Sequence, residues 1–145
     1  MAPAIPVVIF KLVSDPLQHG GLAVARSLGR IGAPVYTAYS DPKTPASQSR
    51  YVGGSFRLHG SRAEPRHTLD ALRDISSQVG NRPLLIPIDD DAAGFVDQFA
   101  PDLEAAYRFP SQPAGLPAQL SDKRLLDELC RATGTPVPAS RMPRS

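Results

Sequence analysis

The run Pro6-Val7-Val8-Ile9-Phe10-Lys11-Leu12-Val13 holds one charged side chain in eight positions, and most of the rest are aliphatic and β-branched. A strand with one face in water alternates apolar with polar residues, whereas a nearly continuous apolar run is the pattern of a strand covered on both faces, as in a parallel sheet. The run ends in the polar turn Ser14-Asp15-Pro16. Leu22, Ala25, Leu28 and Ile31 then recur at helical spacing, and Gly32 stands where a left-handed residue closes a helix, which predicts a helix of about eleven residues. Pro34-Val35-Tyr36-Thr37-Ala38-Tyr39 reads as a second strand, reached through a loop so short that the chain must return directly to the same sheet. The unit is β-α-β, with a right-handed crossover.

The pattern repeats with variations. Tyr51-Val52-Gly53-Gly54-Ser55-Phe56-Arg57-Leu58 is a weaker strand, because two glycines remove packing and invite a bulge. From Pro65, the positions Leu69, Leu72, Ile75 and Val79 predict a second crossover helix, stopped at Gly80 and Asn81. Leu84-Leu85-Ile86-Pro87-Ile88 is a fourth strand, with Pro87 placed at its carboxyl end because proline cannot donate to a ladder. Asp91 is expected to cap a short helix holding Phe95, Val96 and Phe99, and Pro101 to start another running through Tyr107. Residues 110–120 read as linker, and an amphipathic helix is predicted over 122–133, closed by Gly134. This order implies an α/β fold: a Rossmann-like parallel sheet of four to five strands with helices on both faces.

Composition narrows the function classes. With 145 residues the chain has room for one ordinary core. Its 16 basic and 14 acidic side chains are scattered, leaving a formal charge of +2 and no basic stripe to track a nucleic acid. Cys130 stands alone, so an internal disulfide is excluded, and its neighbours Leu126 and Leu129 predict a buried thiol. Residues 1–13 carry Pro3, Pro6 and Lys11 and lack a small-residue cleavage site, so they read as the first strand and not as a signal peptide. No apolar run approaches the ~20 residues that cross a bilayer. The expectation is a soluble cytoplasmic protein with neither nucleic acid nor membrane as partner.

Ligands of an open parallel sheet sit beyond the carboxyl ends of its strands. The loop after the first strand ends in His19-Gly20-Gly21 at a helix start, where free N–H groups and the helix dipole favour an anion; a plain strand-to-helix turn with glycines for tight packing is the other reading. The Gly-x-Gly-x-x-Gly dinucleotide fingerprint is absent, although Asp41 stands where a ribose-binding acid would. Asp89, Asp90 and Asp91 follow the fourth strand; adjacent residues point apart, so chelation of a metal by all three is poor geometry. One of them is expected to cap the helix, one to face the crevice and one to be solvated, with Asp89 assigned to the crevice. His59 and His67 lack ligand-spaced partners and read as surface residues. Lys123, in the first turn of the last helix, opposes the helix dipole, and attraction to a phosphate would explain it.

Asp122-Lys123 on a helix, followed by Gly134-Thr135-Pro136-Val137-Pro138, resembles the passage from the pre-ATP-grasp domain into the body of ATP-grasp enzymes. Gly20 to Gly29, Ser49-Arg50-Tyr51 and Pro87-Ile88-Asp89-Asp90 resemble the carboxylate-amine ligase branch, which includes D-aspartate-ligase-like proteins. The resemblance spans essentially the whole chain. It implies an enzyme that uses ATP and Mg²⁺ to activate a carboxylate as an acyl phosphate, which an amine then attacks. It further implies a phosphate-binding role for Lys123 and a substrate crevice at His19, Gly20, Gly21 and Asp89. Residues 1–120 would be the pre-ATP-grasp domain and 121–145 the connecting helix and the start of the ATP-grasp domain. That domain would act in cis or in trans with small carboxylate and amine substrates. The chain alone is expected to have no catalytic residue or metal site of its own, to bind neither ATP nor Mg²⁺ tightly and to catalyse nothing. An uncovered Leu125, Leu126 and Leu129 face would invite a homodimer. The competing reading is a stand-alone Rossmann-like module that binds a nucleotide or small anion.

Overall fold

The computed structural model describes residues 4–15, 19–41, 43–59 and 64–139. Four parallel strands, β1 (Val7–Lys11), β2 (Val35–Tyr39), β3 (Val52–Arg57) and β4 (Leu84–Pro87), form one sheet in the order β3-β2-β1-β4. β1 is central and buried along its whole length. Val7 and Ile9 face one side with Ala25, Val35 and Tyr39, while Val8 and Phe10 face the other with Leu69, Leu72, Leu85 and Phe95. Two buried faces on one strand are the physical reason for its unbroken apolar run. Burying each large aliphatic or aromatic side chain there contributes roughly 1.5–3 kcal/mol.

Helix α1 (Gly20–Arg30) covers the first face. α2 (Pro65–Val79), α3 (Asp90–Gln98) and the single turn α4 (Ala100–Leu103) cover the second. Gly32 takes φ +82 just beyond α1, as its capping role requires. Ile31, expected on the buried face of that helix, is instead 79% exposed, because it forms the cap and turns away from the sheet. In β3 the register with β2 jumps from Val52 to Gly54, so Gly53 is the extra residue of a bulge. Pro87 ends β4, and the ladder to β1 continues past it with the Ile88 N–H donating to the Phe10 carbonyl.

Three sequence expectations need correction. The helix expected from Pro101 through Tyr107 ends at Leu103. Arg82 takes the carbonyls of Glu104 and Tyr107, and Arg108 then pairs in parallel with Leu84, adding a one-residue fifth strand at the β4 edge. The 110–120 linker contains α5 (Leu116–Ser121), whose Pro117 sits in the first turn, where a missing N–H costs nothing. Gly115, at φ +78, donates its N–H to Asp97, fixing the entry to that helix. Finally, α6 (Lys123–Ala132) makes its main packing contact with α5 and buries none of its residues, so Cys130 is half-buried and not enclosed. No described helix is long and apolar enough to cross a membrane.

Candidate functional site at the carboxyl ends of β1 and β4

From β1 the chain builds outward to β2 and β3 on one side and returns to β4 on the other. The order therefore reverses between β1 and β4, and their following loops diverge to leave a crevice. Asp89 joins the two loops. Its Oδ2 accepts from the N–H groups of Leu12 at 3.0 Å and Val13 at 2.9 Å, and its Oδ1 accepts from Ala92 N–H at 2.7 Å. Asp89 is thus the cap of α3, the role expected of Asp91, because only the residue with extended backbone just before the helix can aim its carboxylate at the first free N–H groups. Asp89 lines a cleft between the two loops, and its oxygens are engaged by three backbone donors. Asp90 and Asp91 occupy the first turn of α3, where their charge favours the helix dipole.

A cleft of about 390 Å³ opens here, lined by Val13, Asp15, Ile88, Asp89, Asp90 and Asp91. Four carboxylates in one mouth suit a cationic group such as an ammonium. The Lys11 ammonium, at the buried end of β1, donates to the Asp15 carbonyl and restrains this rim. Among the described residues, no group of three His, Cys, Asp or Glu side chains is placed to hold a metal ion.

The N-terminus of α1 arrives from above. His19 is the exposed cap residue, with no side-chain cap bond, and its carbonyl accepts from Ala23 N–H. Gly20 has open space around it, while Gly21 is buried: a Cβ there would lie 2.2 Å from Tyr39 Oη and 2.9 Å from Ile88 Cδ1. The two glycines therefore differ in purpose. Gly21 lets the helix touch the sheet, whereas nothing lies within 4 Å of a Cβ built on Gly20. Sequence reasoning missed Tyr39, whose ring is buried under this turn and whose hydroxyl has no hydrogen-bond partner among the described residues. Burial, and to a lesser degree the Asp89 charge, push its ionisation well above the ordinary phenol range. Only its position at the end of an apolar strand hinted at this.

The remaining candidates lie apart from this point. Asp41 accepts from Lys43 N–H and so serves its own turn. His59 and His67 are exposed, the latter 3.6 Å from Glu64. Asp122 caps α6 by accepting from Arg124 and Leu125 N–H groups, which hold its carboxyl below the usual carboxylate range. Lys123, the next residue, is exposed and lines neither crevice wall. Ser121, two residues earlier, shares a neighbouring cleft with Asp90 and Asp91, which brings the α5–α6 joint to the α3 side of the crevice.

No protein-family profile matches the chain, and no curated protein does. Among solved structures it is similar to the crystal structure of L-amino acid ligase from Bacillus licheniformis, with a TM-score of 0.64 and 13% identity over 94% of this chain and 32% of that chain. The chain thus spans about a third of the length of that ligase. At this identity the likeness is one of fold: an α/β, Rossmann-like domain built on an all-parallel four-stranded sheet.

Proposed function

We propose that this chain is the first, substrate-side domain of an ATP-dependent ligase of the ATP-grasp kind, one that joins a carboxylate to an amine through an acyl phosphate. The observation that carries the reading is the fold likeness to an L-amino acid ligase across nearly the whole chain. The ordered motifs Asp122-Lys123 and Gly134-Thr135-Pro136-Val137-Pro138, at the exit from the sheet, support it. The D-aspartate-ligase-like branch rests on the sequence motifs alone.

In this reading the domain orients substrate. The open first turn of α1 at His19 and Gly20 receives a carboxylate, and the acidic mouth at Asp15, Asp90 and Asp91 receives an ammonium, a combination suited to an α-amino acid. Asp89 holds both loops at a fixed separation. ATP supplies the phosphoryl group that activates the acid, and Mg²⁺ would neutralise its phosphates. Among the described residues no group of three His, Cys, Asp or Glu side chains is placed to hold that metal, so we assign its ligands to an ATP-grasp domain supplied in cis or in trans. Lys123, on the hinge toward that domain, is the residue we assign to the nucleotide phosphates.

The test is ADP release by a polypeptide that includes the grasp domain, measured with and without amino acids. Release should require both an acid and an amine, and Gly20→Asp should raise the KM for the acid without loss of stability, because open space surrounds Gly20. Lys123→Ala should lower turnover. ATP turnover that ignores both substitutions would overturn the assignment. Micromolar binding of a small anion by the isolated chain, unaffected by Lys123→Ala, would favour the stand-alone module instead.

A further inference from the structure

Val7 and Ile9 point to the α1 face of the sheet, and Lys11, the last residue of β1, continues that face. Its register partner on β2 is Tyr39. On its other side stands Ile88, which follows Pro87, the partner of Phe10, and donates its N–H to the Phe10 carbonyl at 3.0 Å. Tyr39 and Ile88 are the two side chains nearest to a Cβ built on Gly21, in the first turn of α1. Lys11 therefore rises between them, beneath that turn.

Two groups at this point lack a partner that their burial demands. Lys11 is 3% exposed, yet its ammonium donates to the Asp15 carbonyl and pairs with no carboxylate among the described residues. The Asp89 carboxylate is held instead by the N–H groups of Leu12, Val13 and Ala92. A buried cation without an anion is among the costliest arrangements a fold can carry. Tyr39 is buried as well, and its hydroxyl, set against Gly21, has no hydrogen-bond partner among the described residues. Burial keeps that phenol protonated, so it has a proton to donate.

Helix α1 adds donors from above. Its first backbone bond runs from Ala23 N–H to the His19 carbonyl at 3.2 Å, so the N–H groups of Gly20, Gly21 and Leu22 have no acceptor within the helix. His19 makes no side-chain cap bond, and the first turn holds no acid. A helix start and a buried ammonium both carry positive potential, and they repel one another unless an anion lies between them. A bare helix start is common after a strand; a buried lysine and an unpartnered buried phenol on adjacent strands beneath it are independent of it.

We propose that Lys11 and Tyr39, with the first turn of α1, form an oxyanion site that takes the carboxylate or phosphate group of a small ligand. The ammonium supplies the charge, and the phenol and backbone N–H groups supply directed donors. The cleft at the strand ends reaches this point at Asp15 and Ile88. Its acidic wall, Asp90 and Asp91, belongs to α3, which packs on the opposite face of the sheet. Only the identification of the anion with the carboxylate of the acid substrate rests on the ligase reading; the binding itself is tested without ligase activity.

The intact chain is titrated with sodium acetate and with sodium phosphate, each against sodium chloride of equal ionic strength, and backbone amide shifts are followed by NMR. Gly20, Gly21 and Leu22 should move saturably, with a dissociation constant in the millimolar range, and chloride should not reproduce the change. Lys11→Met, which keeps the length of the side chain without its charge, and Tyr39→Phe should each weaken binding about tenfold, the scale of a hydrogen bond to a charged group. Tighter binding of phosphate assigns the site to a phosphate group and tighter binding of acetate to a carboxylate; each supports the site. If Lys11 served structure alone, Lys11→Met would move the unfolding midpoint and leave the titration as in the wild type, a result that overturns the proposal. Shifts that do not saturate, or that chloride reproduces, overturn it as well. Should Lys11→Met fail to fold, Tyr39→Phe decides, and an unchanged affinity in that variant overturns the site. Absent binding beside ADP release that requires both acid and amine would remove this site and leave the ligase reading standing, while binding without such release would do the reverse.

Discussion

Replacing Gly21 by alanine tests how α1 meets the sheet. The backbone there is ordinary helix, so an alanine adopts it and gains roughly 0.5–1 kcal/mol in backbone entropy. Against this, the new methyl would stand 2.2 Å from Tyr39 Oη and 2.9 Å from Ile88 Cδ1. Tyr39 is 2% exposed and enclosed by the sheet face, so its hydroxyl cannot swing aside. Overpacking of this kind costs about 1–3 kcal/mol, so the net loss should be about 1–2 kcal/mol. With a urea m-value of roughly 1–3 kcal/mol/M, the unfolding midpoint should fall by about 0.5–1 M. Tyr39→Phe removes both the nearest atom and a buried hydroxyl without a described partner, so alone it should be neutral or stabilising. Combined with Gly21→Ala it should restore about 1 kcal/mol, with the residual loss coming from Ile88. Gly20→Ala, with nothing within reach of its Cβ, is the control and should not destabilise. If Gly21→Ala is as stable as Gly20→Ala, or if Tyr39→Phe gives no rescue, the close approach described here is wrong.

Three further outcomes follow from the geometry. Asp89→Ala leaves the N–H groups of Leu12, Val13 and Ala92 without their acceptor and should cost about 2–3 kcal/mol by thermal melting, while Asp89→Asn, which keeps one carbonyl oxygen, should lose less. Burial holds Tyr39 and Tyr107 protonated in the folded state past their ordinary value of 10.0. Above that pH the unfolded chain releases protons that the folded chain retains, so stability should fall with rising pH; urea midpoints across this range should decline less steeply in Tyr39→Phe. Deleting residues 122–145 removes a helix with no buried residue, so the unfolding midpoint should hardly move, while light scattering should fall if the half-buried Leu125, Leu126 and Leu129 drive self-association.

Much of the architecture was legible because apolar periodicity reports burial directly. Val7 to Lys11 read as a doubly covered strand and is one; Leu69, Leu72 and Ile75 read as a helix face and line the core. Gly32, Gly80 and Gly134 marked helix ends because a positive φ is a local demand that glycine meets without strain. Errors arose where distant contacts override local signals. Tyr107 belongs to a helical pattern, yet the chain leaves the helix because the β4 edge offers Arg108 hydrogen bonds. Prolines at 110–120 suggested a linker, though Pro117 begins a helix that docks on α3.

The crevice divides in the same way. From residue types and spacing alone one could place His19, Gly20, Gly21 and Asp89 near the strand ends, since a parallel sheet puts its loops there. Which aspartate caps α3 was undetermined, because three identical neighbours differ only in backbone angle and in what lies 3 Å away. Only the folded chain brings Leu12 and Val13, 77 and 76 residues earlier in sequence, onto the Asp89 carboxylate, and only it sets the Tyr39 hydroxyl beneath Gly21. Local composition specifies what an element is, because hydrophobic periodicity and backbone sterics act within a few residues. What two elements do to each other depends on atomic distances across the sheet, and those exist only once the whole core has closed.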